Sequence, residues 1–315
     1  MTRLALGVAL KQKPRHTHYH RKITPVVVLD EIVKWLIWVV MIVYSLSLLI
    51  LPIWMILSSF RDIYSYNLNP FAWPEQWGYF DNYRVAYENL KVRLTDGTTY
   101  NFFQLALFSL IWSVMNPLIT NFFTLLMAYV ICKYKFPGRK FLYNFGIVLM
   151  IIPIIGSLPS AMMVKKALGI YDNMFLMLLT SPVGCFSGFG FLLFYGAFKS
   201  MPWDYAEAVF VDGGGHWQAF LRCYFPMVLP IFMVQIVLGF IGSWNDYSTF
   251  MLWLPSTPNL AYGLYLFQEN ATGVANSNVV EILAGFSIVI IPTVILYFAS
   301  HRLINSNFMI GGIKG

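Results

Sequence analysis

The sequence predicts an all-α membrane protein with six transmembrane helices and both termini in the cytoplasm. The first observation is composition: 58% of the 315 residues are hydrophobic and only 11% are charged, whereas about a quarter of a soluble domain is charged. The second is that long uncharged runs recur along the chain. The third is that the 21 lysines and arginines lie in short clusters between these runs. Against 14 aspartates and glutamates they give a net charge of +7. That distribution is typical of membrane orientation and does not indicate a nucleic-acid partner.

Six runs are long and apolar enough to cross a bilayer, which takes about 20 residues of helix. They are Trp35–Phe60, Phe102–Cys132, Phe141–Val164, Asn173–Phe198, Cys223–Asn245 and Ile282–His301. The first is too long for a signal-peptide core and is followed by no small-residue cleavage pattern, so we interpret it as a span. The uncharged run Tyr247–Gln268 is interrupted by Pro255 and Pro258. These prolines favour an extracytoplasmic hairpin or a partly re-entrant loop over a seventh span.

The basic residues predict the orientation of the spans. With six spans, fifteen of the 21 lysines and arginines fall on the side that holds both termini. The other six are Arg61, Arg84, Lys91, Arg93, Lys165 and Lys166. Because cytoplasmic loops carry the excess of basic residues, the termini are predicted to be cytoplasmic.

This topology divides the chain into four parts. Residues 1–30 form a basic cytoplasmic tail, 31–101 the first transmembrane helix and an extracytoplasmic loop, 102–303 a five-helix core with a cytoplasmic loop at 199–222, and 304–315 a cytoplasmic C-terminal tail. The aromatic residues of the extracytoplasmic loop suit an interfacial belt or a docking surface for an external protein. The alternating His16, His18 and His20 suit a solvated tail better than a metal site.

Catalytic and metal-binding motifs are missing from the sequence. It contains no phosphate-binding loop, no H-E-x-x-H and no G-x-S-x-G pattern, and its three cysteines have no metal-ligand spacing. The glycines 213–215 are not followed by the lysine of a phosphate loop. We therefore expect no enzyme, metal or cofactor in this chain; if ATP is used, another chain must hydrolyse it.

Uncharged polar residues inside the spans are candidates for lining a solute path. Three candidates lie inside the spans: Asn116, Asn121 and Gln235. Three more lie at the end of the fifth span: Trp244, Asn245 and Asp246. Asp246 and Glu281 stand at span ends, and no charge falls in the middle of a span. Because buried carboxylates normally build proton relays, their absence there favours a polar, uncharged or weakly charged solute over ion coupling.

The segment Trp203–Pro230 is polar and glycine-rich between apolar runs. Ser200 is a plausible N-cap, and Asp204 suits the positive end of a helix. Ala206, Val209 and Phe210 share one face of that helix, and Asp212 with the glycines is expected to end it, Gly213 being left-handed. A second short helix, His216–Tyr224, leads into the fifth span. The apolar face suits a groove on a soluble partner or, alternatively, a lipid surface.

The same segment resembles a loop of a known transporter family. Glu207-Ala208-Val209, Asp212-Gly213 and then Cys223-Tyr224-Phe225-Pro226 are similar to the pattern E-A-A-x-x-x-G-x(9)-I-x-L-P. That pattern marks the membrane subunits of bacterial ABC importers. The motif Trp244–Asp246 and the closing Gly311–Gly315 resemble the carbohydrate branch, which includes the second membrane subunit of maltose permeases. Val209, Cys223 and Phe225 depart from the pattern but stay apolar, so docking is expected to be preserved.

The resemblance implies a type I ABC importer permease fold in a bacterial cytoplasmic membrane. It implies partners: a second homologous permease subunit, two ATP-binding subunits that hold ATP and Mg²⁺, and an extracellular or periplasmic solute-binding protein that delivers a sugar or oligosaccharide. The residues implied in ATPase coupling are Glu207, Ala208, Val209, Asp212, Gly213, Cys223, Phe225 and Pro226. Gly311, Gly312 and Lys314 are implied in a contact of the C-terminal tail. An ion-coupled secondary transporter and a non-transporting receptor or scaffold are the alternatives.

Overall fold

The computed structural model of the protein describes residues 25–74, 78–152, 156–272 and 279–307, and these are mainly helical. The three N-terminal histidines and the C-terminal Gly311, Gly312 and Lys314 lie outside the described residues. The helices are α1 (Pro25–Ser59), α2 (Ile63–Leu68), α3 (Asp81–Asn89), α4 (Phe102–Lys133), α5 (Arg139–Ile151), α6 (Leu158–Ala167), α7 (Met174–Thr180), α8 (Phe189–Ser200), α9 (Asp204–Val211), α10 (His216–Ala219), α11 (Phe225–Trp244), α12 (Ser248–Trp253), α13 (Leu260–Thr272) and α14 (Val279–Asn307). A π-helical turn, Phe220–Tyr224, joins α10 to α11.

The chain divides into two units, and the boundary between them along the sequence lies within α1, between Ile53 and Trp54. The first consists, in its described part, of the apolar helix α1 up to Ile53. The second holds all the other elements. Two short strands, β1 (Val92–Arg93) and β2 (Thr99–Tyr100), pair antiparallel in the second unit.

The loop after the first span is more ordered than its sequence suggests. It contains α2, α3 and the β1–β2 hairpin, whose turn has Gly97 at φ 89°. Asn82 of α3 is buried and donates from Nδ2 to the carbonyls of Ser59 and Arg61 at 2.9 and 2.8 Å. The pKa of the Asp96 carboxyl in the hairpin turn is lowered, because it accepts hydrogen bonds from Thr98. The bond from the Thr98 hydroxyl has the larger effect, and the bond from the Thr98 backbone N–H adds to it. Asp96 and Gly97 therefore form the turn of this hairpin.

Four helices of the described residues are long and apolar enough to cross a membrane. They are Leu29–Ser59, Phe102–Lys133, His216–Trp244 and Val279–Ser300. They match the first, second, fifth and sixth predicted spans. Two shorter helices replace each of the other two predicted spans: α5 and α6 lie where the third was predicted, and α7 and α8 where the fourth was predicted.

The interruption between α7 and α8 has a local cause. Pro182 follows α7, and Gly184 and Gly188 have φ values of 90° and 99°. A left-handed backbone conformation cannot continue a right-handed helix, so the chain turns here. Apolar composition alone therefore predicted a longer helix than the fold contains.

Helices α4, α8 and α11 form the centre of the second unit. Asn116 lies beside Ser243, and Tyr129 beside Tyr224, so α4 and α11 run antiparallel. The two helices approach closely at Gly239, where an added Cβ would lie 2.5 Å from Pro117 Cβ. Helix α8 runs parallel to α4, as Gly190 faces Asn121 and Phe198 faces Tyr129.

The run predicted as a hairpin or re-entrant loop is a pair of short helices, α12 and α13, joined by a turn. Asp172, which has φ 60° and lies between α6 and α7, is hydrogen-bonded to this turn. Its Oδ1 accepts from the Ser256 backbone N–H at 2.9 Å, and its Oδ2 accepts from the Ser256 hydroxyl at 2.6 Å. Pro255 and Pro258 lie in the turn, where proline is tolerated.

We expect Gly239→Ala to lower the thermal stability of the purified protein in detergent. The new methyl group would meet Pro117, and such overpacking costs about 1–3 kcal/mol. Gly242→Ala is the matched control on the same helix, because a Cβ there meets nothing within 4 Å. Heating followed by gel filtration measures both; equal loss in the two variants would contradict the close approach at Gly239.

Candidate functional site

Helix α9 begins later than its sequence signals suggest. Ser200 was expected to be its N-cap, but α8 continues through Ser200, whose hydroxyl donates to the Ala197 carbonyl at 2.8 Å. The N-cap position is Trp203, with no side-chain cap. The prediction was wrong because Phe194 and Phe198, both fully buried, keep α8 helical to its end.

The end of α9 is confirmed as predicted. Gly213 has φ 80°, and its N–H donates to the Phe210 carbonyl at 3.0 Å. The Gly214 N–H donates to the Val209 carbonyl at 2.8 Å. These two bonds form a Schellman motif, in which the last helical carbonyls are satisfied by residues that leave the helix. Gly214 also lacks room for a side chain, because a Cβ would lie 2.5 Å from Val209 Cγ1.

The apolar face of α9 packs on the chain itself. Ala206 is fully buried, and Val209 and Phe210 are half-buried against the same core. This face is therefore not free to enter a groove on a partner, which corrects the expectation from spacing. An amphipathic pattern predicts that a face is covered, but not by which surface.

The opposite face of α9 is exposed. Glu207, Ala208 and Asp212 lie on the surface, and Val211 is 87% exposed. Exposed Asp204 and Glu207 in the first turn complement the positive end of the helix. The site therefore presents acidic and small apolar side chains on a short rigid helix.

The chain then enters α11 through the π-helical turn. Phe220 and Tyr224 are fully buried, whereas Cys223 and Phe225 are half-buried and Pro226 is exposed. The Phe225 N–H donates to the Phe220 carbonyl, five residues back. Pro226 has no N–H to donate to Arg222, so regular α-helical bonding is interrupted beside this wider turn.

An aromatic cluster joins α9, α10 and the π-helical turn to the ends of α4 and α8. Its members are Tyr129, Tyr134, Phe198, Trp203, Phe210, His216, Phe220 and Tyr224. Tyr129 lies at its centre, with ring centroids 4.9 Å from Phe220 and 5.3 Å from both Phe198 and Tyr224. The Tyr134 hydroxyl and His216 Nδ1 are 3.0 Å apart, which links α10 to the end of α4.

Two polar contacts hold the connection between α8 and α9. The Tyr224 hydroxyl donates to the Pro202 carbonyl at 3.0 Å. Lys133 Nζ donates to the Met201 carbonyl at 2.5 Å and lies 5.0 Å from the centre of the Tyr224 ring. Sequence reasoning assigned neither residue this role: Lys133 was counted only among the cytoplasmic cations, and Tyr224 was quoted only as part of the motif Cys223–Pro226. The one signal for Lys133 is a cation directly after the end of a predicted span.

The predicted path residues fall into two groups. Asn116 Nδ2 donates to Ser243 Oγ at 3.2 Å, and Asn121 Nδ2 donates to the Pro117 carbonyl at 2.9 Å. Gln235 is 9% exposed, and its Nε2 has no hydrogen-bond partner. A Cβ on Gly190 would lie 3.4 Å from Gln235 Nε2 and 3.7 Å from Asn121 Oδ1. These residues thus form a polar seam where α4 meets α8 and α11.

The second group lies at the C-terminal end of α11 and has separate environments. Trp244 is buried and donates from Nε1 to the Val289 carbonyl of α14 at 3.0 Å. Asn245 is exposed. Asp246 Oδ1 accepts from the Ser248 hydroxyl and the Thr249 N–H, so it caps the start of α12. The structure therefore does not bring all six predicted path residues together.

Within the described ranges, no three histidine, cysteine or acidic side chains lie close enough to hold a metal ion. The α9 site presents exposed carboxylates and small side chains on one face, and its apolar face packs on the core behind them.

Residues 120–309 match the family model described as a binding-protein-dependent transport system inner membrane component. The matched range includes α9, α10 and α11. The chain is 25% identical to the diacetylchitobiose uptake system permease protein NgcG of Streptomyces coelicolor, over 84% of this chain and 83% of that protein. It is 28% identical to the maltodextrin transport system permease protein MalD of Streptococcus pneumoniae, over 74% of this chain and 82% of that protein.

A solved structure shares the fold. It is a crystal structure of a bacterial ABC transporter involved in the import of the acidic polysaccharide alginate, and one of its chains superposes with a TM-score of 0.67. The match covers 87% of this chain and 96% of that chain at 22% sequence identity.

We expect Gly214→Ala to loosen the turn between α9 and α10. The added methyl group would displace Val209, and strain of this kind costs about 1–3 kcal/mol. Amide hydrogen exchange in the peptide 205–218 should accelerate by about tenfold, since 1.4 kcal/mol changes an opening equilibrium tenfold. Gly215→Ala is the control, because a Cβ there meets nothing within 4 Å. Unchanged exchange in Gly214→Ala would contradict the packing of this turn.

Proposed function

Because the chain belongs to the family of binding-protein-dependent transport system inner membrane components, we propose that it is a permease subunit of an ATP-driven importer for a sugar or oligosaccharide. The observation that carries the proposal is the α9–α10 segment, an acidic docking helix within the matched range and fixed to the core bundle. The relatives named for diacetylchitobiose and maltodextrin support the choice of substrate class. The chain itself supplies no catalysis: ATP and Mg²⁺ belong to partner subunits.

The proposed assembly has four kinds of component. This chain pairs with a second, homologous permease subunit, and two ATP-binding subunits lie on the cytoplasmic side. A solute-binding protein outside the bacterial cytoplasmic membrane delivers the sugar. The fold similarity to a chain of an ABC transporter supports the permease role of this subunit in such an assembly.

The topology that we propose has six crossings with both termini in the cytoplasm. Helices α5 with α6, and α7 with α8, supply the third and fourth crossings as broken helices. The α9 end of the bundle is then cytoplasmic, which its cations support: they are Lys133, Lys135, Arg139, Lys140, Lys199 and Arg222.

The exposed face of α9 is the proposed ATPase contact. Glu207, Ala208 and Asp212 meet the partner, while Val209 anchors the helix from its covered face. Gly213 fixes the angle between α9 and α10 through the Schellman motif. The tail residues Gly311, Gly312 and Lys314 remain a predicted second contact.

Motion of α9 has a direct route into the bundle. Cys223, Phe225 and Pro226 lie where the π-helical turn passes into α11. Helix α11 has 20 residues and, at a rise of 1.5 Å per residue, is about 30 Å long. It therefore links the proposed cytoplasmic docking site to Trp244, Asn245 and Asp246 at its far end. The polar seam of Asn116, Asn121 and Gln235 lies between these ends and is a proposed part of the solute path.

We expect Glu207→Lys and Gly213→Pro to abolish coupling without preventing membrane insertion. The first reverses a charge on the exposed face, and the second forces φ near −65° where the chain needs 80°. In proteoliposomes that hold the complete complex, ATP-dependent sugar uptake should fall by about tenfold or more, equivalent to at least 1.4 kcal/mol of lost coupling.

The control is Glu88→Lys, a charge reversal at an exposed position of α3, where the ion pair with Arg84 contributes little. Uptake by this variant should match that of the wild type. Normal uptake by either coupling variant would defeat the role proposed for α9.

A further inference from the structure

A cavity of about 240 Å³ lies at the C-terminal end of α11. It is lined by Met55, Asn245, Tyr247, Ala261, Leu264, Tyr265, Gln268, Phe286, Val289 and Ile290. The docking helix α9 precedes the start of α11, so the two features are separated by the length of that helix, about 30 Å. In the proposed orientation the cavity faces the extracytoplasmic side.

Stacked tyrosines form one wall of the cavity. The rings of Tyr247 and Tyr265 are 4.8 Å apart between centroids and inclined by only 8°. Tyr262 extends the stack behind Tyr265, at 6.4 Å and 14°. Tyr247 is the end ring and is 41% exposed, so it has surface that Tyr265 does not cover. Tyr247 and Tyr265 both line the cavity, and their stacking gives it a flat, rigid aromatic surface.

Amide side chains supply the polar part of the cavity. Asn245 and Gln268 line it and are both exposed. Asn245 donates from Nδ2 to the Ile241 carbonyl at 2.8 Å, which fixes the amide and leaves Oδ1 able to accept. None of the ten lining residues is charged. The fixed Asn245 amide and the exposed Gln268 amide, beside apolar and aromatic surface, suit a ligand that is uncharged and carries hydroxyl groups.

We infer that this cavity is a subsite for one neutral pyranose unit of the transported glycan. The inference rests on the proposed function and deepens it. A pyranose has an apolar face of C–H groups that packs on an aromatic ring, and equatorial hydroxyls that bond to amides. A cavity of about 240 Å³ suits one sugar ring rather than a chain of them.

The absence of charge from the described lining also selects among glycans. A uronate residue carries a carboxylate, and burying it without a cation or a set of N–H donors is costly. The subsite therefore favours neutral sugars over the acidic polysaccharide named for the solved ABC transporter.

Binding to the purified complete complex, without the solute-binding protein, tests the subsite directly. Saturation-transfer NMR is recorded with maltotriose, with diacetylchitobiose and with a mannuronate trisaccharide. We expect a neutral probe to bind and the acidic one to bind at least about tenfold more weakly. Tyr247→Leu should weaken neutral-sugar binding by about 3- to 10-fold, the range of one aromatic stacking contact. Tyr247→Phe keeps the ring and should stay within about twofold of the wild type.

Tyr64→Leu is the matched control, because Tyr64 is an exposed tyrosine of α2 and does not line the cavity. It should bind sugar as the wild type does, and thermal stability is measured for every variant. Equal binding by Tyr247→Leu and wild type, equal binding of the acidic probe, or no binding of either neutral probe would each overturn the subsite.

Uptake measured in parallel separates the two proposals. Sugar binding that depends on Tyr247, in a complex that transports no sugar, would sink the importer function and leave the subsite standing. Sugar uptake that Tyr247→Leu does not alter, with equally unaltered binding, would sink the subsite and leave the importer standing.

Discussion

The packing of Tyr129 against Phe198, Phe220 and Tyr224 is the contact on which the α9 end of the molecule depends. One side chain of α4, only 4% exposed, touches both the last turns of α8 and the π-helical turn before α11. Helix α4 carries this ring, and α8 and the π-helical turn both pack against it. None of these three segments can therefore shift without disturbing the other two. Lys133 and the Tyr224 hydroxyl add polar contacts to the α8–α9 connection. Helix α9 is thereby fixed to the bundle, although the segment that contains it is polar and glycine-rich.

The sequence predicts those structural features whose physical cause lies in one residue or its near neighbours in the chain. The stop at Gly213 depends on one residue's access to a left-handed conformation, so it was predictable. The start of α9 was not predictable, since burial of Phe198 in the tertiary fold keeps α8 helical through Ser200. The covered face of α9 was recognised from its spacing, but spacing carries no information on whether the cover is the same chain or a partner.

The same distinction applies to the spans and the site. Long uninterrupted runs such as α4 and α11 were predicted because apolar length is itself the requirement of a bilayer. The break between α7 and α8 arises from backbone conformation at Gly184 and Gly188, to which composition is insensitive. The tyrosine stack needed residues 247, 262 and 265 to come together across the α12–α13 turn, and no sequence period signals that approach.

The Schellman turn has a consequence for how a partner binds. The hydrogen bonds donated by Gly213 and Gly214 and the ring contact between Phe210 and His216 are made within the chain, so this order does not require a partner. A disordered loop would lose conformational entropy on docking and so give up part of the interaction free energy. A surface that is already ordered keeps that free energy for affinity. A rigid segment also passes a displacement on to the helices that it is joined to, whereas a flexible segment would bend instead.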